Sequence, residues 1–218
     1  MNSQIRISKG RFEAFSDGVF AIAITLLVLE LPIPKLVVVN EATMSHALLA
    51  LWPQFLVYVA SFATIGIMWF NHYALFHYAK DISYASLIAN LGLLLCIAFL
   101  PYPTWLLGQY ALVPAAVSFY GSTLFAISVL YGILWYVSCL PAGAQGSIVG
   151  FLRTRTAWNT LGLVAYALGT AFAFVSPLTS IGLFAAIALF YISPGNVRWA
   201  LATSAAAHAE TAAKTWDR

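Results

Sequence analysis

Long apolar runs broken only by short polar connections dominate the chain. Six stretches of 18 or more mostly apolar residues, the length a spanning helix needs, fall at about 12–33, 46–74, 82–107, 111–139, 156–175 and 178–196. The pattern predicts an all-α polytopic membrane protein with six transmembrane helices. A six-helix transmembrane domain would fill residues 1–196, followed by an Ala-rich cytoplasmic tail over 197–218. The connections are too short to hold a soluble catalytic domain. Pro141 to Ser147 reads as a flexible Gly- and Ala-rich link.

Composition agrees with this pattern. Over 218 residues, 62% are hydrophobic, only 8% are charged and the mean hydropathy is +0.88, far from the usage of soluble domains. With six spans and the N-terminus inside, Arg6, Lys9, Arg11, Lys80, Arg153, Arg155, Arg198, Lys214 and Arg218 fall on the cytoplasmic side and only Lys35 outside. Short cytoplasmic loops collect basic residues, so nine of the ten Lys and Arg agree with both termini being cytoplasmic. The net charge of +3 then follows from topology and requires no nucleic acid. The basic residues before the first apolar run imitate a signal peptide, but the run is too long and contains Asp17, which predicts an uncleaved helix.

The first span combines two features. Arg11, Glu13 and Asp17 stand in its opening turns, and charge is costly in a membrane helix. Ile22, Leu26 and Leu29 follow at spacings of four and three, which stacks them along one helix face. Such a stripe packs against a neighbour, faces lipid or, if several copies surround an axis, forms apolar rings that gate by dewetting. Thr25 adds a hydroxyl beside Leu26, and Gly18, Ala21 and Ala23 keep the helix slim for close approach. Asp17 lies about 140° around the helix from Ile22, so the two face different surroundings.

The other polar residues favour structure over chemistry. Glu13 and Asp17 form an i, i+4 pair that an acid/base or metal site could use, but no second acidic helix completes it. His46, His72, His77 and His208 have no metal-hydrolase spacing. Arg11, Asp17, Trp69, Asn71 and His72 are expected to form a structural network near the cytoplasmic interface. Ser61, Thr64, Asn90 and Asn159 read as hydrogen-bonding links between helices. Cys96 and Cys139 suggest neither a disulfide framework nor a zinc site. The sequence predicts no enzyme, no cofactor and no metal beyond a permeating ion.

Arg11, Phe15, Ser16 and Asp17 spell RxxxFSD and continue as GVFAIAITLLVLEL to Leu31. This segment resembles the signature of the transmembrane protein 175 family of potassium channels. An MWFNH stretch at Met68–His72 and FLPYPT at Phe99–Thr104 agree in outline. A single six-span repeat is similar to the bacterial members. The resemblance implies a homotetrameric, potassium-selective or potassium-preferring channel in the bacterial inner membrane, without the TVGYG pore loop and with potassium ions and the lipid bilayer as partners. It implies a central pore lined by the first helix and narrowed by Ile22, Leu26 and Leu29, with Thr25 contributing to selectivity. Arg11, Phe15, Ser16 and Asp17 would hold that helix, together with Trp69 and His72. The alternative is an ion- or proton-coupled carrier using Glu13, Asp17 and His72 as a relay.

Overall fold

The computed structural model of the chain describes residues 8–79, 82–139 and 147–192, with the side chains of 77, 78, 139, 147–159 and 192 excepted. The elements among the described residues are all helices, in the order α1 (Lys9–Leu26), α2 (Glu41–Ala50), α3 (Trp52–Tyr78), α4 (Tyr84–Phe99), α5 (Pro101–Gln109), α6 (Pro114–Cys139), α7 (Ser147–Phe172) and α8 (Pro177–Ile192). Four stretches among them are long and apolar enough to cross a membrane: Lys9–Glu30, Trp52–Phe76, Tyr84–Gln109 and Pro114–Ser138. Thr160–Phe172 and Pro177–Tyr191 are shorter apolar helices. The expected tail over 197–218 lies outside the described residues, as do Lys80, most of the Pro141–Ser147 link, and the side chain of Asn159.

Proline and capping explain where apolar runs break. The run over 82–107 divides at Leu100, because Pro101 and Pro103 supply no backbone N–H to the ladder, and α5 restarts with Pro in its first turn. The run over 46–74 likewise begins as two pieces. Asn40 and Thr43 form a reciprocal capping box at the start of α2, and α3 begins after Leu51, with Pro53 in its first turn. The first span tightens into a 3₁₀ turn over Leu27–Glu30 before Pro32 ends it.

Helices α3, α4 and α5 pack along one side of α1, while α6, α7 and α8 form a second cluster joined mainly through α4 and α3. Phe12, Phe20 and Ala23 of α1, with Leu27 of the 3₁₀ turn that follows it, enter a shared apolar core with Leu75, Phe76, Leu93 and Ile97. Hydroxyls tie the layers at several depths. Thr104 Oγ1 donates to Ser61 Oγ at 3.1 Å, Ser61 Oγ lies 3.1 Å from Tyr120 OH, and Ser138 Oγ donates to Ser86 Oγ at 3.0 Å. Ser61 thus links helices, and Thr64, whose hydroxyl donates to Ala60 O of its own helix at 2.8 Å, also meets the Tyr120 hydroxyl of α6.

Gly121 has a packing role. A Cβ there would stand 2.5 Å from Thr170 Oγ1 and 2.6 Å from Phe184 Cζ, and one at Gly169 would stand 2.5 Å from Phe184 Cε1. The Phe184 ring therefore occupies space that two glycines on facing helices leave open. Gly121→Ala is expected to cost about 1–3 kcal/mol by overpacking, read as a lower unfolding temperature in detergent. Adding Phe184→Leu should recover part of the loss.

Candidate functional site

The FSD motif works because three consecutive helix positions, each about 100° from the last, point at three surroundings. Ser16 is fully buried toward α4, Asp17 turns sideways toward α3, and Phe15 stands exposed. Ser16 Oγ donates to Phe12 O at 3.0 Å and accepts from Asn90 Nδ2 at 3.0 Å. The Asn90 amide oxygen, which only accepts, is met by His72 Nε2 at 2.8 Å. His72 and Asn90 are 2% and 1% exposed, so this relay joins α3, α4 and α1 away from solvent. Rings enclose it: His72 lies 5.4 Å from Phe20 and 4.7 Å from Phe76, centroid to centroid, and Phe12 meets Phe76 at 4.7 Å.

Asp17 Oδ1 accepts from Trp69 Nε1 at 2.8 Å, a charge-assisted bond that fixes α1 against α3. Trp69→Phe should therefore loosen this contact more than Asp17→Asn, which keeps an acceptor oxygen. Parallel thermal-stability measurements in detergent compare the two. A further tether, which the sequence reading missed, lies at the helix ends. Lys9 Nζ donates to Ala79 O, the C-cap of α3, at 2.9 Å and stands 3.9 Å from Glu13 Oε1. A basic residue near a helix C-terminus is the signal that could have found it.

Of the residues expected to hold α1, Ser16, Asp17, Trp69 and His72 make hydrogen bonds between helices, in two separate links, while Arg11 and Phe15 are exposed. Arg11 is exposed and makes no hydrogen bond or ion pair among the described residues. Glu13, Asp17 and His72, grouped by the carrier alternative, have separate partners: Lys9, Trp69 and Asn90. Asn90, read only as a link between helices, is the centre of the buried relay. No group of three or more His, Cys, Asp or Glu stands ready for a metal among the described residues.

The opposite face of α1 is open. Ile22 is 61% exposed, Leu26 39% and Leu29 74%, while Phe12, Ser16, Phe20, Ala23 and Leu27 are buried on the other side. Arg11, Phe15, Gly18, Ile22, Thr25 and Leu29 recur along this open face at alternating spacings of four and three, the repeat by which helices meet one another. Lipid-facing stripes do not ordinarily interleave Arg, Gly and Thr with large apolar residues. Thr25 Oγ1 donates to Ala21 O and Ile22 O, at 3.0 and 2.9 Å. With its proton committed to the helix, the hydroxyl offers oxygen lone pairs.

Comparison with known proteins bears on this geometry. The family model described as the endosomal/lysosomal potassium channel TMEM175 matches residues 11–101, which hold α1, α3, α4 and the relay. A protein of Chamaesiphon minutus named a potassium channel is 35% identical over 192 residues, covering 86% of this chain and 95% of its own. The crystal structure of a lysosomal potassium-selective channel TMEM175 homolog from the same organism superposes with a TM-score of 0.76 at 34% identity, covering 84% of this chain and 95% of that one. A mouse protein named the endosomal/lysosomal proton channel TMEM175 is 42% identical over 101 residues, which is 44% of this chain and 20% of that protein. These relatives are ion channels and not enzymes, and the chain belongs to the TMEM175 family.

Proposed function

We propose that the chain is a potassium-selective or potassium-preferring channel that assembles as a homotetramer, with six membrane passes and a pore lined by α1. One observation carries this reading. In a member of a channel family, α1 is fastened on one side by a buried relay and leaves on the other an unpartnered stripe of Ile22, Leu26 and Leu29. Four copies around an axis would stack those side chains as apolar rings that exclude water when narrow and admit hydrated ions when wide. The Thr25 oxygen sits between the Ile22 and Leu26 levels and would supply an acceptor where the rings supply none. No TVGYG sequence occurs in the chain. The distribution of Lys and Arg supports cytoplasmic termini in a bacterial inner membrane.

Purified protein should run as a tetramer by light scattering. In liposomes carrying a potassium gradient, it should pass potassium down the gradient without saturation at high concentration. A monomeric protein, or transport that saturates and stops without a proton gradient, would favour the coupled carrier. Thr25→Val removes the oxygen at almost constant shape and is expected to lower the potassium-to-sodium flux ratio, measured by competing gradients in the same vesicles. The mouse relative's name favours a second reading in which protons also pass. A pH-sensitive dye inside the same liposomes tests it.

A further inference from the structure

A second feature lies on the protomer side of the first span, at the end away from the RxxxFSD motif. There the helix tightens to three residues per turn, so Glu30 comes directly over Leu27. Leu27 is fully buried while Leu29 is exposed, and Glu30 therefore belongs to the protomer rather than to the open stripe. It lines a narrow pocket between this turn, the start of α3 and α5, walls whose side chains are all described. Gln54 of α3 lines the same pocket, and its Oε1 is shut off from solvent without a hydrogen-bond donor. Thr104 of α5 lines it too, and with its hydroxyl proton directed to Leu100 O and Ser61 Oγ it keeps oxygen lone pairs. Among the described residues no Lys, Arg or His pairs with Glu30, and Lys35, five residues on, is exposed.

Carboxylate, amide and hydroxyl oxygens from three elements, two of them without a donor, suit a hard cation. Size and charge narrow the choice. The pocket measures about 220 Å³ even with its open side counted, below the roughly 300 Å³ at which small-molecule sites begin, so an organic cation does not fit. One carboxylate balances one positive charge, and a divalent ion would keep an excess charge beside Leu27, Leu31 and Val57. Water alone would satisfy the oxygens and leave the partly buried carboxylate without a counter-charge. We infer that each protomer binds one monovalent alkali cation between Glu30, Gln54 and Thr104, off the proposed pore. The bound ion ties the end of the first span to α3 and α5. All three side chains belong to one protomer, so the site does not depend on α1 lining a pore.

The test is anomalous diffraction from crystals of the full chain grown in rubidium chloride, with the unfolding temperature in detergent as the solution readout. Neither measurement reads conduction. A rubidium peak should stand in contact with Glu30 and Gln54 Oε1. Replacing N-methylglucamine chloride by potassium, sodium or rubidium chloride at constant ionic strength should raise the unfolding temperature by about 2–4 °C. Glu30→Gln and Gln54→Met keep the side-chain size and should each remove most of that rise, whereas Glu41→Gln, at an exposed acid of α2, should keep it. Either of the first two variants serves if the other fails to fold. Rubidium on a symmetry axis but not in this pocket would overturn the site and leave the channel reading intact. An undiminished rise in folded Glu30→Gln or Gln54→Met, or a larger response to millimolar calcium than to the alkali salts, would also overturn the inference.

Discussion

Ile22→Asn and Leu26→Asn are expected to raise potassium flux through reconstituted protein by roughly an order of magnitude, with the resting leak rising in step. Both positions sit on the open face of α1, and neither contributes to the buried core of the protomer. A polar ring retains water where an apolar ring expels it. If wetting lowers the conduction barrier by about 1.4 kcal/mol, flux rises tenfold. Because the side chains leave the protomer core untouched, the unfolding temperature should move little. Vesicle flux and thermal unfolding measured on the same preparations separate an opened pore from a damaged protein. Unchanged flux in both variants would remove the constriction from this part of α1.

Asn90→Ala is expected to be the most damaging single change among the polar residues. It leaves the buried His72 Nε2–H without its acceptor and takes a donor from Ser16, while Ser16 keeps its bond to Phe12 O. A stranded buried donor costs about 1–3 kcal/mol, and the vacated volume adds a packing loss. For a chain of this length, the unfolding temperature should fall by roughly 4–10 °C. The double variant His72→Phe, Asn90→Leu provides the contrast. Replacing both partners with apolar groups of similar size avoids the stranded donor, and the Phe20 and Phe76 rings already flank position 72. The double variant should be more stable than Asn90→Ala alone. If it is less stable, the relay contributes through something other than satisfied hydrogen bonding.

Much of the molecule was legible in the sequence because lipid imposes simple rules. Apolar length located four membrane-length segments, while the other two expected spans appear among the described residues as the shorter apolar helices Thr160–Phe172 and Pro177–Tyr191, and the RxxxFSD signature located α1. Breaks within those segments were harder to place. Pro101 and Pro103 fall inside one apolar run, and only the geometry distinguishes a kinked span from the two helices α4 and α5. Tertiary partnership was less legible still. Asp17 and Trp69 were grouped correctly, but nothing local in the sequence indicates that Asn90 on α4 bridges Ser16 and His72 across 74 and 18 residues of chain. Arg11 belongs to the motif by spacing and stays outside the described network, because its position on α1 faces away from α3 and α4. Gly121 illustrates the same limit. Its Tyr-Gly pair matches no filter sequence, and its packing role is visible only once Phe184 is seen opposite.

The most direct measurement replaces single residues of α1 by cysteine in a Cys96→Ser, Cys139→Ser background and records silver-ion block of potassium flux in liposomes. Ile22→Cys and Leu29→Cys should be blocked rapidly and almost completely, and Ile22→Cys should crosslink between protomers on oxidation. Leu168→Cys, exposed on α7, should conduct undisturbed. Silver-insensitive flux at Ile22→Cys and Leu29→Cys, with no crosslinked species, would contradict an α1-lined pore.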